Sequence, residues 1–308
     1  MSDVVISAVG LRKSYEDFEA VRGIDIEVNR GEVFAFLGPN GAGKTTTVEI
    51  LEGYRERSAG EVTVLGLDPQ EANRAWRERV GIVLQECRLT PELTPREMLE
   101  LYAGYYSSPR GVDETLALVG LGEKAEARTS TLSGGQQRRL DVPLALIGDP
   151  ELLFLDEPTT GFDPTARHRA WEMIGGLRDL GKTVFLTTHY MEEAQALADR
   201  AAILVGGRIV AQGPPRELGQ RNGRRARISF HLPDGVGVRD LPEGWRAGAA
   251  ASDGTVALET DDPVPALREL TVWAGERGVD LPELEVRRPS LEDVYLELTE
   301  ETAEVAGE

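Results

Sequence analysis

The chain has 308 residues, of which 41% are hydrophobic, and its formal net charge at pH 7 is −19. The negative charge argues against broad binding to nucleic-acid phosphates and against docking on anionic lipid, so we predict no nucleic-acid partner. No apolar run approaches the roughly 20 residues that span a bilayer, and the amino terminus lacks a signal pattern, which together predict a protein that is cytoplasmic by itself.

The first part of the chain predicts strands joined by turns, and a strand over residues 32–37 (EVFAFL) leads into GPNGAGKTT. That stretch fits G-x-x-x-x-G-K-[ST], and a helix follows it, as the motif requires. Backbone N–H groups of such a loop bind phosphate oxygens, the lysine adds a positive charge, and the threonine hydroxyl suits Mg²⁺. A glycine turn without function is the alternative. The predicted phosphate-binding residues are Gly38, Pro39, Asn40, Gly41, Ala42, Gly43, Lys44 and Thr45.

A helical pattern follows from about residue 86 to residue 135, with apolar residues at i, i+3 and i+4. It ends in the LSGGQ segment, residues 132–136, which opens a polar helix. The Ser133 hydroxyl and the N–H groups of Gly134 and Gly135 predict an anion site at the amino end of that helix. Pro143 falls inside the same helix and predicts a kink near Arg139.

The next chemical signal is LLFLDEP, a buried strand that ends in two carboxylates. Beside a phosphate loop, Asp156 would complete a Mg²⁺ shell through water and Glu157 would act as general base. A solvated turn is the alternative for these acids. His189, at the end of the strand TVFLTT, could reach a γ phosphate or be structural. The alternation of strands and helices predicts a parallel sheet covered by helices.

The composition changes near residues 219–227 (GQRNGRRAR), which predicts a polar linker. The stretches RISFHL, TVALET and LPELEV predict strands, and VPALRELTVWAG predicts a helix. A last helix begins at Ser290 with a capping-box-like start. We therefore predict two domains, one over residues 1–219 and a small α/β domain over residues 220–308.

In order and spacing, these segments resemble the ATP-binding subunit of an ABC transporter. The resemblance covers residues 1 to about 219 and rests on GPNGAGKTT, LQ at 84–85, LSGGQ at 132–136, LLFLDEP at 152–158, TTGFD at 159–163 and TTHYMEEA at 187–194. It implies an α/β P-loop NTPase fold, in which a RecA-like mixed sheet carries a helical subdomain. It also implies ATP and Mg²⁺ as ligands and ATP hydrolysis coupled to transport.

The resemblance assigns roles to single residues. It implies Lys44, Thr45 and Thr46 for phosphate and metal, Gln85 for metal and transporter coupling, Asp156 for metal, Glu157 as base, His189 as γ-phosphate sensor and Tyr15 as adenine platform. It also implies that two chains enclose two ATP molecules head to tail. The LSGGQ segment, with Ser133, Gly134, Gly135 and Gln136, would hold the γ phosphate of ATP on the partner's phosphate loop, and Asp163 would contact the opposite subunit. Phe162 stands where the family often has leucine.

The second domain, which ends in RRPSLEDVYLELTEE, resembles the one appended to drug- and antibiotic-resistance exporter ATPases of the daunorubicin type. The resemblance implies export of a drug-like, lipid or other hydrophobic substrate through a separate membrane-spanning permease, on the inner face of the cell membrane. The second ATPase subunit would be another copy or a related chain. The ATPase of an importer and a non-transport ABC ATPase are the alternatives.

Overall fold

A computed structural model describes residues 3–83, 89–218, 225–233, 235–246 and 254–287. This part of the chain divides into two compact units, the first ending at Pro215 and the second beginning at Arg216. Gln85, the domain boundary at residue 219 and the helix predicted from Ser290 lie outside the described residues. Within these ranges, no helix is both long and apolar enough to cross a membrane.

The described chain as far as residue 218 contains nine strands and eight α-helices. The strands are β1 (Val4–Tyr15), β2 (Phe18–Asn29), β3 (Val33–Leu37), β4 (Ala59–Val64), β5 (Val80–Val83), β6 (Leu152–Asp156), β7 (Thr183–Thr188), β8 (Arg200–Val205) and β9 (Arg208–Gly213). The helices are α1 (Lys44–Leu51), α2 (Arg74–Arg77), α3 (Pro95–Ala103), α4 (Val112–Leu118), α5 (Gly134–Leu146), α6 (Pro164–Asp179), α7 (Met191–Leu197) and α8 (Pro215–Leu218).

The main sheet has six strands in the order β5-β6-β7-β3-β8-β9. Its strands are parallel except β9, which pairs with β8 in the antiparallel sense. A second sheet, in the order β2-β1-β4, is antiparallel. The predicted parallel sheet is therefore present, whereas the separate antiparallel sheet of the amino-terminal strands was not predicted from the sequence.

The central strands of the main sheet are buried because helices and the second sheet cover them. Phe185 of β7 packs against Phe34 of β3 and Phe154 of β6, with ring centroids 5.5 Å and 5.7 Å away. The carboxyl ends of parallel strands meet at the same edge of a sheet, which is where ligands bind in folds of this type. The loops after β3, β6 and β7, which carry the predicted chemistry, are thereby brought together.

The helices α3, α4 and α5 form the insert between β5 and β6. The last of these, α5, is continuous through Pro143. Proline has no backbone N–H, and the hydrogen bond that is lost costs about 3 kcal/mol in a helix interior. The burial of every residue from Leu140 to Leu146 offsets this cost. The kink near Arg139 stays a prediction.

The second unit is a three-stranded antiparallel sheet with a helix on one face, and its strand order is β11 (Thr255–Thr260), β10 (Ala226–His231) and β12 (Glu285–Arg287). Its core contains Ile228, Phe230, Trp245 and Leu270, all fully buried. The helix begins after Asp262, whose carboxylate accepts a hydrogen bond from the Val264 backbone N–H. This helix is α9 (Pro263–Arg277).

Candidate functional site

The phosphate loop, residues 38–45, joins the end of β3 to the first turn of α1. Two of its glycines have no room for a side chain. A Cβ atom on Gly38 would lie 2.4 Å from the carbonyl oxygen of Leu204, and one on Gly43 would lie 2.4 Å from that of Ala20. Gly43 also has a φ of +103°, which residues with L side chains rarely adopt. The loop therefore requires glycine at both positions.

The Lys44 ammonium is held inside this loop, where the residue is only 6% exposed. Its Nζ donates hydrogen bonds to the carbonyl oxygens of Gly38 at 2.8 Å and Pro39 at 3.2 Å, and lies 3.8 Å from Oε1 of Glu157. Burial lowers the pKa of Lys44, while the carboxylates of Glu157 and Asp156 raise it in part. One cation thus lies between the loop and the two acids, in position to contact phosphate oxygens bound by the loop.

The two acids are placed by one hydroxyl of the neighbouring strand. Thr187 of β7 is fully buried, and its Oγ1 donates a hydrogen bond to Oδ1 of Asp156. Oγ1 of Thr187 also accepts a hydrogen bond from the Glu157 backbone N–H at 3.0 Å. Glu157 has a φ of +47°, an uncommon conformation for a residue other than glycine. The Thr187 hydroxyl therefore holds the carboxylate of Asp156 and the backbone of Glu157.

Glu157 is the point at which the predicted catalytic groups meet. Its side chain is 12% exposed, and Oε2 lies 3.3 Å from Nδ1 of His189 and accepts a hydrogen bond from Oγ1 of Thr160 at 3.1 Å. The His189 ring also packs on Tyr190, with centroids 4.1 Å apart. A carboxylate in contact with a cation and an imidazole is suited to accept a proton from water beside a bound phosphate.

The described residues fit Mg²⁺ at this site by donor chemistry. Thr45 lies in the first turn of α1 with its side chain exposed, Thr46 beside it is half-buried, and Asp156 lies close enough to Lys44 to affect the pKa of Lys44. Hydroxyl, carboxylate and water oxygens are the ligands that Mg²⁺ prefers. The third predicted metal residue, Gln85, lies outside the described chain, so its role stays a prediction.

Tyr15, the predicted adenine platform, is the last residue of β1 and is 36% exposed. Two cations lie near its ring: Nζ of Lys13 is 5.0 Å and Cζ of Arg55 is 5.4 Å from the centroid. Such contacts orient an aromatic ring. No contact described for Tyr15 joins it to the phosphate loop, and its role in adenine binding stays a prediction.

The LSGGQ segment is built as a helix start. The Ser133 hydroxyl accepts a hydrogen bond from the Gln136 backbone N–H at 3.3 Å, and Oε1 of Gln136 accepts from the Ser133 N–H at 2.9 Å, which is a capping box. A Cβ atom on Gly134 or Gly135 would meet nothing within 4 Å. The hydroxyl of Ser133 still has its proton to donate, so the helix start faces open space with donors available.

In the described parts of the chain, no hydrogen bond or ion pair joins the LSGGQ segment to Lys44, Glu157 or His189. Asp163 is exposed and caps α6, because its Oδ1 accepts a hydrogen bond from the Ala166 N–H at 2.9 Å. The chain therefore brings together Lys44, Asp156, Glu157 and His189, and it leaves the LSGGQ segment apart from them.

Sequence reasoning missed three residues near this site: Thr187, Glu193 and Glu52. Glu193 is fully buried below the loop after β6. Glu52 follows α1, and its pKa is raised to about 8, mainly by burial and then by the charges of Asp156 and Glu49. A glutamate inside the apolar stretch EILEG was a signal that could have identified Glu52, whereas nothing local distinguishes Thr187.

Two family descriptions match the chain. The one described as "ABC transporter" matches residues 21–160. The one described as "ABC transporter domain-containing protein-like, C-terminal domain" matches residues 226–290. The first contains the phosphate loop, the LSGGQ segment and Glu157, and the second lies in the second unit.

Curated relatives match along nearly the full length. The chain is 39% identical to "Nod factor export ATP-binding protein I" of Burkholderia pseudomallei (strain 1710b) over 97% of this chain and 98% of the relative. It is 41% identical to the protein of that name from Bradyrhizobium diazoefficiens, over 97% of each chain.

Solved structures match about 71% of the chain. A structure of cbiO1 from Clostridium perfringens, described as part of the ABC transporter complex cbiONQ, is 27% identical with a TM-score of 0.65, over 71% of this chain and 92% of that one. A structure described as an ATP-binding subunit of an ABC transporter is 26% identical with a TM-score of 0.63, over 71% and 93%.

Proposed function

This chain belongs to the ABC transporter ATP-binding proteins, and from that premise we propose that it is the ATP-hydrolysing subunit of an exporter whose permease is a separate chain. Membership confirms the predicted P-loop NTPase fold, ATP binding and ATPase activity. The observation that carries the proposal is the contact of Glu157 with both Lys44 and His189 in one chain, while the LSGGQ segment lies apart.

Within one chain, the phosphate loop and Lys44 bind the β and γ phosphates. Glu157 accepts the proton of the attacking water at Oε2 or Oε1, and His189 donates a hydrogen bond to the γ phosphate. Thr45 and Asp156 would hold Mg²⁺, which when bound neutralises charge on the β and γ oxygens. Burial of Lys44 and Glu157 strengthens these interactions, since charges interact more strongly away from water.

Completion of the site requires a second chain, another copy or a related subunit. The helix start at Ser133 offers N–H groups and a hydroxyl to an anion, and no hydrogen bond or ion pair described for it joins it to Lys44 of its own chain. We therefore propose that this segment binds the γ phosphate held by the partner's phosphate loop. ATP then lies between the two chains.

The export direction is supported by the relatives, which are named as Nod factor export proteins. The second unit, matched by an ABC transporter C-terminal domain description, supports an appended domain like that of daunorubicin-type exporter ATPases. We propose a drug-like, lipid or other hydrophobic substrate, and antibiotic export is one form of this activity.

The permease contact is supported by an exposed aromatic patch on and after α3. Leu101 is 54% exposed, Tyr102 37% and Tyr105 65%, and the two tyrosine rings pack edge to face with centroids 6.2 Å apart. Exposed apolar clusters of this kind are typical of interaction sites. We propose that this patch binds the permease and holds the chain at the inner face of the cell membrane.

The experiment uses inside-out membrane vesicles that contain the cognate permease, together with the purified chain. Daunorubicin is the probe, and its uptake into the vesicles is measured with ATP. The proposal predicts ATP-dependent uptake that Glu157→Gln abolishes and that Tyr105→Glu lowers through lost membrane binding. ATP-dependent release from preloaded vesicles would instead indicate an importer, and no transport of any hydrophobic probe in either direction would contradict the proposal.

A further inference from the structure

A buried carboxylate lies outside the catalytic group and is not used by it. Glu193, on the first turn of α7, is fully buried, and its Oε1 accepts hydrogen bonds from Oγ1 of Thr159 at 2.8 Å and from Nε1 of Trp171 at 3.1 Å. Its Oε2 forms no hydrogen bond of good geometry among the described residues, and the nearby Thr188 hydroxyl only partly offsets the burial that raises the pKa of Glu193. Burial of a carboxyl group is costly unless its contacts offset it, so this position requires a physical reason.

The contacts of Glu193 join three elements around the site. Thr159, also fully buried, stands two residues after Glu157 in the loop that leads to Asp163. Trp171 belongs to α6, which Asp163 caps. Glu193 itself stands four residues after His189 at the start of α7. One carboxylate oxygen therefore connects the loop that carries the base to the helix that follows the histidine.

The loop and the start of α7 also carry the two side chains of the proposed catalytic contact, Glu157 and His189. Oε2 of Glu157 and Nδ1 of His189 are 3.3 Å apart, and Thr160, next to Thr159, donates to the same Oε2. A shift of the loop or of α7 changes that distance directly, and a displacement of about 1 Å in a catalytic group can cost about 10²-fold in rate.

We propose that Glu193 is a positioning residue for ATP hydrolysis: it holds the loop of residues 157–163 against the start of α7, which fixes Glu157 relative to His189 and presents Asp163 to the second chain. This inference rests on the proposed roles of Glu157 and His189. The acceptor oxygen of Glu193, rather than its charge, performs this role, because both partners are neutral donors.

The test compares full-length variants of Glu193 in steady-state ATP hydrolysis with Mg²⁺. Glu193→Met keeps the length of the side chain and removes the acceptor, so kcat should fall about tenfold or more while KM for ATP changes less than about twofold, because Lys44 and its loop lie outside the network. Glu193→Gln keeps an acceptor oxygen and should restore kcat to within about threefold of the wild type.

A matched control is available on the same helical turn. Glu192 is exposed, and Glu192→Met should leave kcat and KM unchanged. Thr159→Val removes the donor at almost constant shape and should lower kcat in the same way. The double variant with Glu193→Met should fall no further than Glu193→Met alone, because that variant already removes the contact with Thr159.

Three outcomes would overturn the proposal: a kcat for Glu193→Met equal to that of Glu192→Met, a parallel rise of KM, or a Glu193→Gln variant as slow as Glu193→Met. If Glu193→Met does not fold, an unchanged kcat in Thr159→Val overturns it. Glu157→Gln is measured in the same assay. Near-wild-type hydrolysis by that variant would contradict the proposed function itself, whatever the Glu193 variants show.

Discussion

The phosphate loop and the LSGGQ segment are both glycine-containing starts of helices, yet their surroundings differ. The loop wraps a lysine that is 6% exposed and is in contact with Glu157, and a side chain on Gly38 or Gly43 would collide with neighbouring backbone. The glycines at 134 and 135 face open space, and the hydrogen bonds described for Ser133 are with Gln136 of its own helix. One anion site is thus enclosed by its own chain, and the other is open to a second molecule.

Under the proposed function, this difference makes the two segments halves of one site that a single chain does not complete. The enclosed half contains Lys44, Glu157 and His189, and the open half contains backbone donors and the Ser133 hydroxyl. Variants of the enclosed half should therefore change chemistry in each chain. Variants of the open half should spare ATP binding by one chain and affect only steps that need two.

The largest effect is expected from Glu157→Gln in the enclosed half. The amide keeps the shape of the side chain and cannot accept a proton, so the rate of ATP hydrolysis should fall by about 10² to 10⁴ while ATP binding persists and an ATP-bound dimer accumulates. The measurement is phosphate release together with size-exclusion chromatography in ATP. Hydrolysis near the wild-type rate would show that another group is the base.

A smaller effect is expected from Gly135→Asp in the open half. A carboxylate there would crowd and repel the γ phosphate, and we expect loss of hydrolysis by about 10²-fold. Binding of ATP to the single chain should be unchanged, because none of the contacts described for Lys44 involves this glycine. Equilibrium binding of a fluorescent ATP analogue measures this, with Lys44→Ala as the variant that loses binding. Loss of ATP binding in Gly135→Asp would break the comparison between the two halves.

Ser133→Ala should lower the rate of ATP hydrolysis about tenfold, because it removes a hydroxyl donor to the phosphate. It also removes a helix cap, which typically costs about 1 kcal/mol of stability. The chain offers a matched control, because Thr94 and Glu97 form the same capping box at the start of α3. Thr94→Ala should lower thermal stability by a similar amount and leave kcat unchanged. Equal losses of kcat in both variants would mean that Ser133 acts only as a cap.

The smallest effect is expected on stability, from Glu52 beside the enclosed half. The pKa of Glu52 is raised to about 8 from an ordinary 4.5, mainly by burial. The unfolded chain releases the Glu52 proton near pH 4.5, whereas the folded chain keeps it until about pH 8. The stability of the folded chain therefore falls as the pH rises through this window. After relaxation and screening, we expect a loss of about 1 kcal/mol.

Glu52→Gln has no proton to release and should remove this decline. Thermal unfolding without nucleotide or Mg²⁺, at pH 5 and at pH 8, measures it: the variant should be more stable than the wild type at pH 8 and similar at pH 5. An identical pH dependence in both proteins would show that Glu52 is ionised in the folded chain at neutral pH.

Much of the enclosed half could be predicted from the sequence, because its parts are short linear motifs at strand ends. Lys44, Asp156 and His189 are examples, and parallel strands bring such ends together whatever the rest of the chain does. Thr187 and Glu193 could not be predicted, since their partners lie on other elements. Thr187 reads as an ordinary strand residue, and its role arises only from the register of β6 against β7.

The fold shows the same division. The alternation of strands and helices predicted the parallel sheet, whereas the pairing of β1 with β4 depends on a contact across the phosphate loop and α1, which no local pattern indicates. The helix through Pro143 also shows tertiary packing prevailing over local preference.

The most direct test of the central claim, that the LSGGQ segment serves the ATP of a second chain, is mixing two inactive variants. One chain carries Lys44→Ala with an intact LSGGQ segment, and the other carries Gly135→Asp with an intact lysine. Crosslinking in ATP first confirms that mixed dimers form. In each mixed dimer, one site is damaged in both halves and the other joins the intact lysine to the intact LSGGQ segment.

Hydrolysis by the mixture is then compared with that of each variant alone. If the segment acts across subunits, mixing should recover activity up to about a quarter of the wild-type sites, because random pairing makes half of the dimers mixed and one site in each is intact. If the segment served its own chain, every site would remain damaged. Mixed dimers that form in ATP and show no more hydrolysis than the separate variants would contradict the account.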